Sequence, residues 1–428
     1  MNTAEMKRVI QDQEIERIQL AERENIIERE ISREELLKAL AVPNILAILG
    51  IRRCGKSVLS WNILKGNKVG YINFDDESLY GIEVKDLNVV LKAFYELYGD
   101  PEFIILDEIQ NVSGWELFAN RLRITKKVII TGSNSNLLSG ELSTQLTGRH
   151  TDFNLFPFSF KEFLMYNKFN LEEEGKFEYS TKFSAKLENL LEKYISSGGL
   201  PEAYKIPGMS KTVFSDIIQK DIVRRYRIKN VSVIESMAKY LISNFSNEMT
   251  FSKLKNVFSI GRMETIKKYV KYLQDAHLII VLERFSFKLK QQLIAPKKVY
   301  CMDTGIINSI AFRFTEDPGK FIENLVAVEL LRRKSYSRPD TEVYYYKDHQ
   351  QREVDFVVKE GLAIKQLIQV CYNIDDLSTK ERELKALDKA SSELKCKNLL
   401  IITWDYESEE DFNGNNIKFI PLWKWLIY

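Results

Sequence analysis

Short apolar runs that stop at a glycine or an acid, separated by longer mixed stretches, organise the first third of the chain. Residues 44–49 (NILAIL) end at Gly50, and 69–73 (VGYIN) lead into Asp75-Asp76-Glu77. Residues 103–106 (FIIL) end at Asp107, and 128–131 (VIIT) end at Gly132-Ser133-Asn134. Apolar runs of this length predict strands buried on both faces. The helix-length segments between them predict crossovers, so the expected architecture is a parallel sheet covered on both sides. Upstream, residues 1–41 carry Glu, Arg, Ile and Leu without Gly or Pro, which predicts one or two amphipathic helices.

The pattern changes near Thr151. An aromatic-rich stretch (153–164, FNLFPFSFKEFL) precedes helix-like segments at 187–194 and 213–226, and Ser196-Ser197-Gly198-Gly199-Leu200-Pro201 reads as a turn between them. Residues 251–257 and 265–274 are helix-like around Ser259-Ile260-Gly261-Arg262, and the alternating run 278–287 predicts a hairpin. The tail predicts a helix (321–334), strands at 342–347, 353–358 and 363–372, a helix (378–391) and a strand (398–403). At 428 residues the chain is too long for one ordinary core. The expected division is a helical extension (1–41), an α/β domain (42–165), a helical lid region (166–230), a helix-rich middle domain (231–300) and an α/β C-terminal domain (301–428).

Composition changes this picture little. A net charge of +2 does not by itself call for a polyanion, and 45% hydrophobic with 29% charged residues is a globular balance. The four cysteines (Cys54, Cys301, Cys371, Cys396) form no C-x-x-C pair and there are three histidines, which argues against structural zinc and suits a reducing compartment. The charged N-terminal residues lack a signal-peptide core, and no apolar stretch reaches the roughly 18 residues of a membrane span. A cytoplasmic protein without a membrane partner is expected.

Chemistry concentrates at the ends of the apolar runs. Gly50-Ile51-Arg52-Arg53-Cys54-Gly55-Lys56-Ser57 fits G-x-x-x-x-G-K-[ST], between a strand-like and a helix-like segment. Glycines at these places let backbone N–H groups wrap phosphate oxygens. The helix beginning at Lys56 directs its positive end at the same anion. Lys56 is expected to reach the β- and γ-phosphates of ATP and the Ser57 hydroxyl to ligate Mg²⁺. The acidic pair after the FIIL run supplies a metal carboxylate, Asp107, and a residue that polarises the attacking water, Glu108. A plain strand end with solvated acids has the same sequence, and the phosphate-loop pattern upstream decides for the functional reading. Ser133 and Asn134 could sense the γ-phosphate or serve only as turn residues. Arg149 could meet charge developing in the transition state, in its own site or a neighbour's, or form a surface salt bridge. Arg224 and Arg225 share that ambiguity, with the structural role favoured.

The strings GIRRCGKS, FIILDEIQ, ITGSNSNLL and LTGRHTDFNLFPFSFKEF resemble a large prokaryotic group of AAA-like ATPases, and YISSGGLPEAY, IIQKDIVRRY and FIENLVAVELLRR extend the likeness over nearly all the chain from about residue 40. Members join an N-terminal AAA-type domain to a C-terminal domain of unknown function. The resemblance implies that Lys56, Ser57 and Asp107 bind nucleotide and Mg²⁺, that the base is adenine, and that Arg149 corresponds to a recurrent arginine.

Two further resemblances concern the remainder. Residues 251–300 hold 11 Lys and Arg against three Asp and Glu, and their helix–turn–helix–hairpin order resembles a winged helix. That likeness implies DNA contact through Lys267, Lys268 and Lys271, and packing on the ATPase is the competing role. The tail order resembles the restriction-endonuclease-like core. Its chemistry needs a carboxylate, here Asp355, a helix carboxylate, Glu323 or Glu329, and a Glu-x-Lys, where this chain has Gln369-Val370-Cys371. Without that acid and ammonium, a nuclease-derived binding or scaffold domain is the favoured expectation. The fold class expected is therefore α/β: a P-loop NTPase sheet of AAA-like type, a helical and winged-helix middle, and a restriction-endonuclease-like end. The functional expectation is an ATPase that switches a DNA- or protein-bound conformation, with homo-oligomerisation open. The alternatives are an ATP-gated nuclease and a nucleotide-binding switch with negligible hydrolysis.

Overall fold

The computed structural model describes residues 1–134, 146, 148–171, 180–312 and 317–428. They form two compact units, one of Met1–Phe156 with Asp275–His277 and one of Pro157–Gln274 with Leu278–Tyr428. Among the described residues no helix is long and apolar enough to cross a membrane.

The first unit is built on a parallel sheet in the order β2-β3-β4-β1-β5, formed by β1 (Ile45–Leu49), β2 (Val69–Asn73), β3 (Phe103–Asp107), β4 (Lys127–Gly132) and β5 (His150–Asn154). Four of these strands are the apolar runs predicted. β5 was not predicted, because only Phe153 of its five residues is buried and its polar side chains hide the strand signal. Among the helices, α1 (Thr3–Arg23), α2 (Arg33–Lys38), α3 (Lys56–Asn62), α4 (Leu87–Tyr98) and α5 (Trp115–Leu122) belong to this unit. α1 starts with a capping box in which Asn2 and Glu5 exchange backbone and side-chain bonds. It then buries Met6 and Ile10 in the core shared by Ile45, Ile72, Ile104 and Val128. Its Gln13 pairs with the open edge of β2, donating to Asn73 O at 3.0 Å and accepting from Asn73 N at 2.8 Å. A helix thus covers an edge that would otherwise expose ladder groups.

The second unit contains two sheets. A small antiparallel sheet has the order β6-β8-β7, from β6 (Asn247–Met249), β7 (Ile279–Leu282) and β8 (Lys297–Cys301). A six-stranded mixed sheet has the order β13-β14-β12-β11-β10-β9, from β9 (Thr341–Lys347), β10 (Glu353–Glu360), β11 (Ala363–Cys371), β12 (Leu399–Thr403), β13 (Ser408–Phe412) and β14 (Asn415–Pro421). The helices that matter below are α6 (Thr181–Ser197), α7 (Phe251–Val257), α8 (Met263–Asp275) and α9 (Pro318–Tyr336).

The hairpin expected within 278–287 does not form. Only Ile279–Leu282 is a strand, and it pairs with Lys297–Cys301. The alternation breaks at Phe285, whose amide donates to Tyr345 O of β9 at 2.7 Å, so the chain leaves one sheet for the other. The turn after α6 is held by a buried acid. Asp303 accepts from Gly199 N at 2.6 Å and Ile306 N at 3.1 Å, and burial pushes its pKa up to about 6.

Candidate nucleotide site

The loop between β1 and α3 is shaped by residues that only certain backbones tolerate. Gly50 has φ +154°, and a Cβ there would lie 2.2 Å from Leu155 O. Gly55 has φ +98° and is the N-cap of α3, without a side chain to satisfy the helix's first N–H groups. The first turn of α3 therefore carries no side-chain cap on its amide groups. Lys56 is 5% exposed, and its Nζ donates to Gly50 O and Ile51 O, both at 3.1 Å. A buried ammonium persists only with such partners. Arg53 is left-handed at φ +64°, Arg52 lies 4.0 Å from Asp75, and the buried Cys54 thiol faces Leu155 O at 3.6 Å. Burial raises the Cys54 pKa, so this thiol stays protonated. Ser57 lies in the first turn of α3.

Arg29, which the sequence reading passed over, fastens this loop. Its Nη1 donates to Cys54 O at 3.0 Å and its Nη2 to Phe156 O at 2.7 Å. Nothing in the local sequence marks it, since its partners stand 25 and 127 residues away.

Strand register brings the acidic and polar candidates to the same edge of the sheet. Leu49 faces Gly132, and Leu106 faces Ile130, so Gly50, Ser133 and Asn134 follow the carboxyl ends of adjacent strands and Asp107 ends the strand between β2 and β4. Asp107 is fully buried. Tyr71 Oη donates to its Oδ2 at 2.7 Å, and Thr131 Oγ1 donates to its Oδ1. Thr131 Oγ1 also accepts from Glu108 N at 3.1 Å, and Glu108 itself is left-handed at φ +51°. Gln110 donates to the Glu108 carboxylate. Burial and the Asp107 charge push the Tyr71 phenol far above its ordinary pKa, so it acts only as a donor. Ser133 and Asn134 are buried.

Arg149 is not part of this arrangement. Its carbonyl accepts from Ile45 N at 3.1 Å, at the amino end of β1, and its guanidinium donates to Asn120 at 3.3 Å. β1 runs from Ile45 to Leu49, about 13 Å at ~3.3 Å per residue, before the phosphate loop begins. The option of Arg149 acting in its own site is therefore corrected: the parallel register holds it at the opposite end of the sheet. Thr147 beside it lies outside the described residues.

In the second unit, Lys267, Lys268 and Lys271 are exposed on α8, with Lys267 Nζ 5.9 Å from the Phe251 ring of α7. Arg224 closes a π-helical segment, Ile217–Arg224, with Arg225 as its C-cap.

The tail acids gather around a lysine the sequence reading did not single out. Lys298 Nζ of β8 lies 3.0 Å from Asp355, 2.8 Å from Glu323 and 2.5 Å from Glu353. Tyr300 Oη donates to Glu323 at 2.7 Å, and Val370 N to Asp355 at 3.0 Å. Gln369 accepts from Asp355 N at 3.2 Å and donates to Glu383. Burial pushes Glu323 up to about 7 against the opposing pull of Lys298. Burial would lower the Lys298 pKa, but Tyr300 and the surrounding carboxylates outweigh it and raise it. Glu329, the other helix carboxylate considered, is instead paired with Arg332 and Arg333. Among the described residues, no group of three His, Cys, Asp or Glu could hold a metal. Mg²⁺ held beside phosphates takes only one or two protein carboxylates, so a nucleotide site does not require such a group. Asp107 with Ser57 fits that donor set.

Comparison with known proteins matches three stretches of the chain. Residues 42–164 match the AAA domain family, 188–317 a domain of unknown function (DUF8612) and 318–425 another (DUF4143). The chain is 35% identical to the uncharacterized protein MJ1544 of Methanocaldococcus jannaschii, over 96% of this chain and 93% of that protein. An uncharacterized protein of Haemophilus influenzae is 26% identical over 93% of this chain and 98% of its own length. Among solved structures, the Walker-type ATPase paby2304 of Pyrococcus abyssi overlaps 67% of this chain and 97% of its own, with a TM-score of 0.44 and 16% identity.

Proposed function

The chain belongs to the same family as MJ1544 and carries an AAA domain, and from that premise we propose that it is a Mg²⁺-dependent ATPase whose nucleotide state switches its own DNA- or protein-binding conformation. The observation that carries this reading is the buried Lys56 ammonium on the phosphate-loop carbonyls, at the same sheet edge as the buried Asp107 carboxylate. The residues divide the work by their chemistry. Main-chain N–H groups from Gly50 to Ser57 and the start of α3 bind the phosphates. Ser57 and Asp107 hold Mg²⁺, which neutralises charge on the transferring phosphoryl group. Glu108, fixed by Gln110, orients the attacking water, and Ser133 and Asn134 report on the γ-phosphate from the next strand.

Arg149 completes the site of a neighbouring copy in this reading, because its position at the amino end of the strands puts its own phosphate loop at the other end of β1. Mixing two variants tests this together with the metal carboxylate. Asp107→Asn and Arg149→Ala should each lose most steady-state ATP hydrolysis, on the order of 100-fold. Mixed, they should recover a measurable fraction, since one subunit keeps Asp107 and the other supplies Arg149. Wild-type turnover in Asp107→Asn alone would overturn the assignment of Asp107 as the metal carboxylate. An active Arg149→Ala, or a mixture as dead as its parts, would remove the role in trans.

The partner we favour is duplex DNA, on the motive of three exposed lysines along one face of α8. Each phosphate neutralised contributes about 0.9 to the slope of log affinity against log salt. Replacing Lys267, Lys268 and Lys271 with alanine should therefore weaken duplex binding at low salt and flatten that slope by about two to three. Fluorescence anisotropy across a salt series reads both, and an unaltered slope would leave α8 as a protein-packing face. Cleavage is not part of the proposal. The Lys298 ammonium bridges the acids that would have to hold a metal, and the Gln369 amide is spent on Asp355 and Glu383. These contacts support a scaffold domain.

A further inference from the structure

The sequence places Asp107 at a strand end as the first of an acidic pair. In the fold it is gripped from both sides. Tyr71 on β2 gives its hydroxyl proton to Oδ2 at 2.7 Å, and Thr131 on β4 gives its own to Oδ1. These donors come from the two strands that flank β3 in the sheet. With each oxygen held, the carboxylate cannot rotate about its terminal bond without breaking both contacts. Each oxygen keeps lone-pair capacity for a further partner.

Thr131 does a second job. Its single proton goes to Asp107, and its oxygen accepts from Glu108 N at 3.1 Å. One hydroxyl therefore ties the orientation of residue 107 to the left-handed backbone that sets residue 108. Tyr71 is constrained in its turn. The Arg17 guanidinium of α1 lies 5.5 Å from its ring centroid, and Gln13 of the same helix pairs with Asn73 two residues on. The N-terminal helix is thus connected to the carboxylate through one phenol.

We propose that Tyr71 and Thr131 are positioning residues for Asp107, holding it in the orientation that binds Mg²⁺, and that Tyr71 links this carboxylate to α1. The inference rests on the reading of Asp107 as the metal carboxylate. Partners of a ligating group orient it, and their loss typically costs 10- to 100-fold in metal affinity or activity.

Tyr71→Phe removes one oxygen and keeps the ring, and Thr131→Val keeps the shape without the hydroxyl. Thr131→Ser restores the hydroxyl. ATP hydrolysis titrated with Mg²⁺ at saturating ATP should show half-maximal Mg²⁺ raised about tenfold in Tyr71→Phe and Thr131→Val, and within about twofold of wild type in Thr131→Ser. Nucleotide binding in EDTA should be unchanged in all three, which separates positioning from collapse of the fold. If Tyr71→Phe and Thr131→Val both keep the wild-type Mg²⁺ midpoint while Asp107→Asn loses Mg²⁺ dependence, the positioning inference fails alone. If Asp107→Asn itself keeps the wild-type midpoint, the metal assignment fails and this inference with it. Loss of EDTA-phase nucleotide binding in both Tyr71→Phe and Thr131→Val would also overturn it, in favour of a purely structural role.

Discussion

Lys56→Ala should lower ATP affinity at least about 100-fold, while the apo protein still folds. The side chain is almost wholly buried, and its ammonium rests on two carbonyls of the loop that is proposed to enclose the phosphates. No other lysine belongs to that loop, whose remaining cations are Arg52 and Arg53. A hydrogen bond to a charged group contributes about 1.5–3 kcal/mol, and the ammonium can make several to phosphate oxygens. At ~1.4 kcal/mol per decade, losing two such bonds exceeds a hundredfold. The fold should persist because the loop retains Gly50, Gly55 and the Arg29 clamp on Cys54 O and Phe156 O. Calorimetric titration reads the affinity directly. Thermal melts give an independent check, since a ligand that binds only the folded state raises its melting temperature. ATP should therefore shift the wild type and leave the variant where it is. Wild-type affinity in Lys56→Ala would end the nucleotide-site reading.

Lys298→Met should destabilise the second unit by about 3–5 kcal/mol at pH 8, the usual cost of removing one partner from a buried charge group. Lys298 is 3% exposed and is the cation that contacts Glu323, Glu353 and Asp355 together. Methionine keeps most of the stem volume, so the loss isolates the charge. Without the ammonium, Asp355 and Glu323 keep backbone and Tyr300 donors, and Glu353 keeps Lys347 at 3.4 Å. These partners do not balance three acids.

The deficit should depend on pH in a definite direction. In the wild type, burial already raises Glu323 to about 7 from an ordinary 4.5. A carboxyl whose folded pKa is raised binds more protons in the folded state across that interval, so its contribution to stability falls as pH rises through it. Lys298 pulls Glu323 and Asp355 down, and its removal pushes both further up. The gap between wild type and variant should therefore be narrower near pH 5, below the Glu323 pKa, and widest above about pH 7. The raised pKa of Lys298 itself acts only in the alkaline range and does not offset this trend. Denaturant melts at pH 5, 7 and 8 measure the gap. A constant gap would mean that Lys298 contributes packing rather than charge.

Local patterns carried most of the first unit's framework. β1, β3 and β4 are apolar runs that stop at Gly or an acid, and their burial on both faces leaves little choice but a covered parallel sheet. The phosphate loop was legible for the same reason. Its glycines are demanded by backbone geometry, and Lys56 and Ser57 follow at fixed offsets. β5 escaped because an edge strand with one buried residue leaves almost no hydrophobic signal. The hairpin expected after α8 failed because alternation says which face a residue takes and not which strand it pairs with.

What the chain determines alone is therefore the set of elements that bury both faces, and the one loop whose chemistry is written at consecutive positions. Everything that depends on pairing across long sequence separations was decided by the tertiary structure. Tyr71 and Thr131 reach Asp107 across 36 and 24 residues, and Lys298 reaches Asp355 across 57. Arg149 is sent to the far end of the sheet by the register of β5 on β1. The physical reason is the same in each case: a side chain's identity states what it can bind, while strand order and register determine what lies within 3 Å of it.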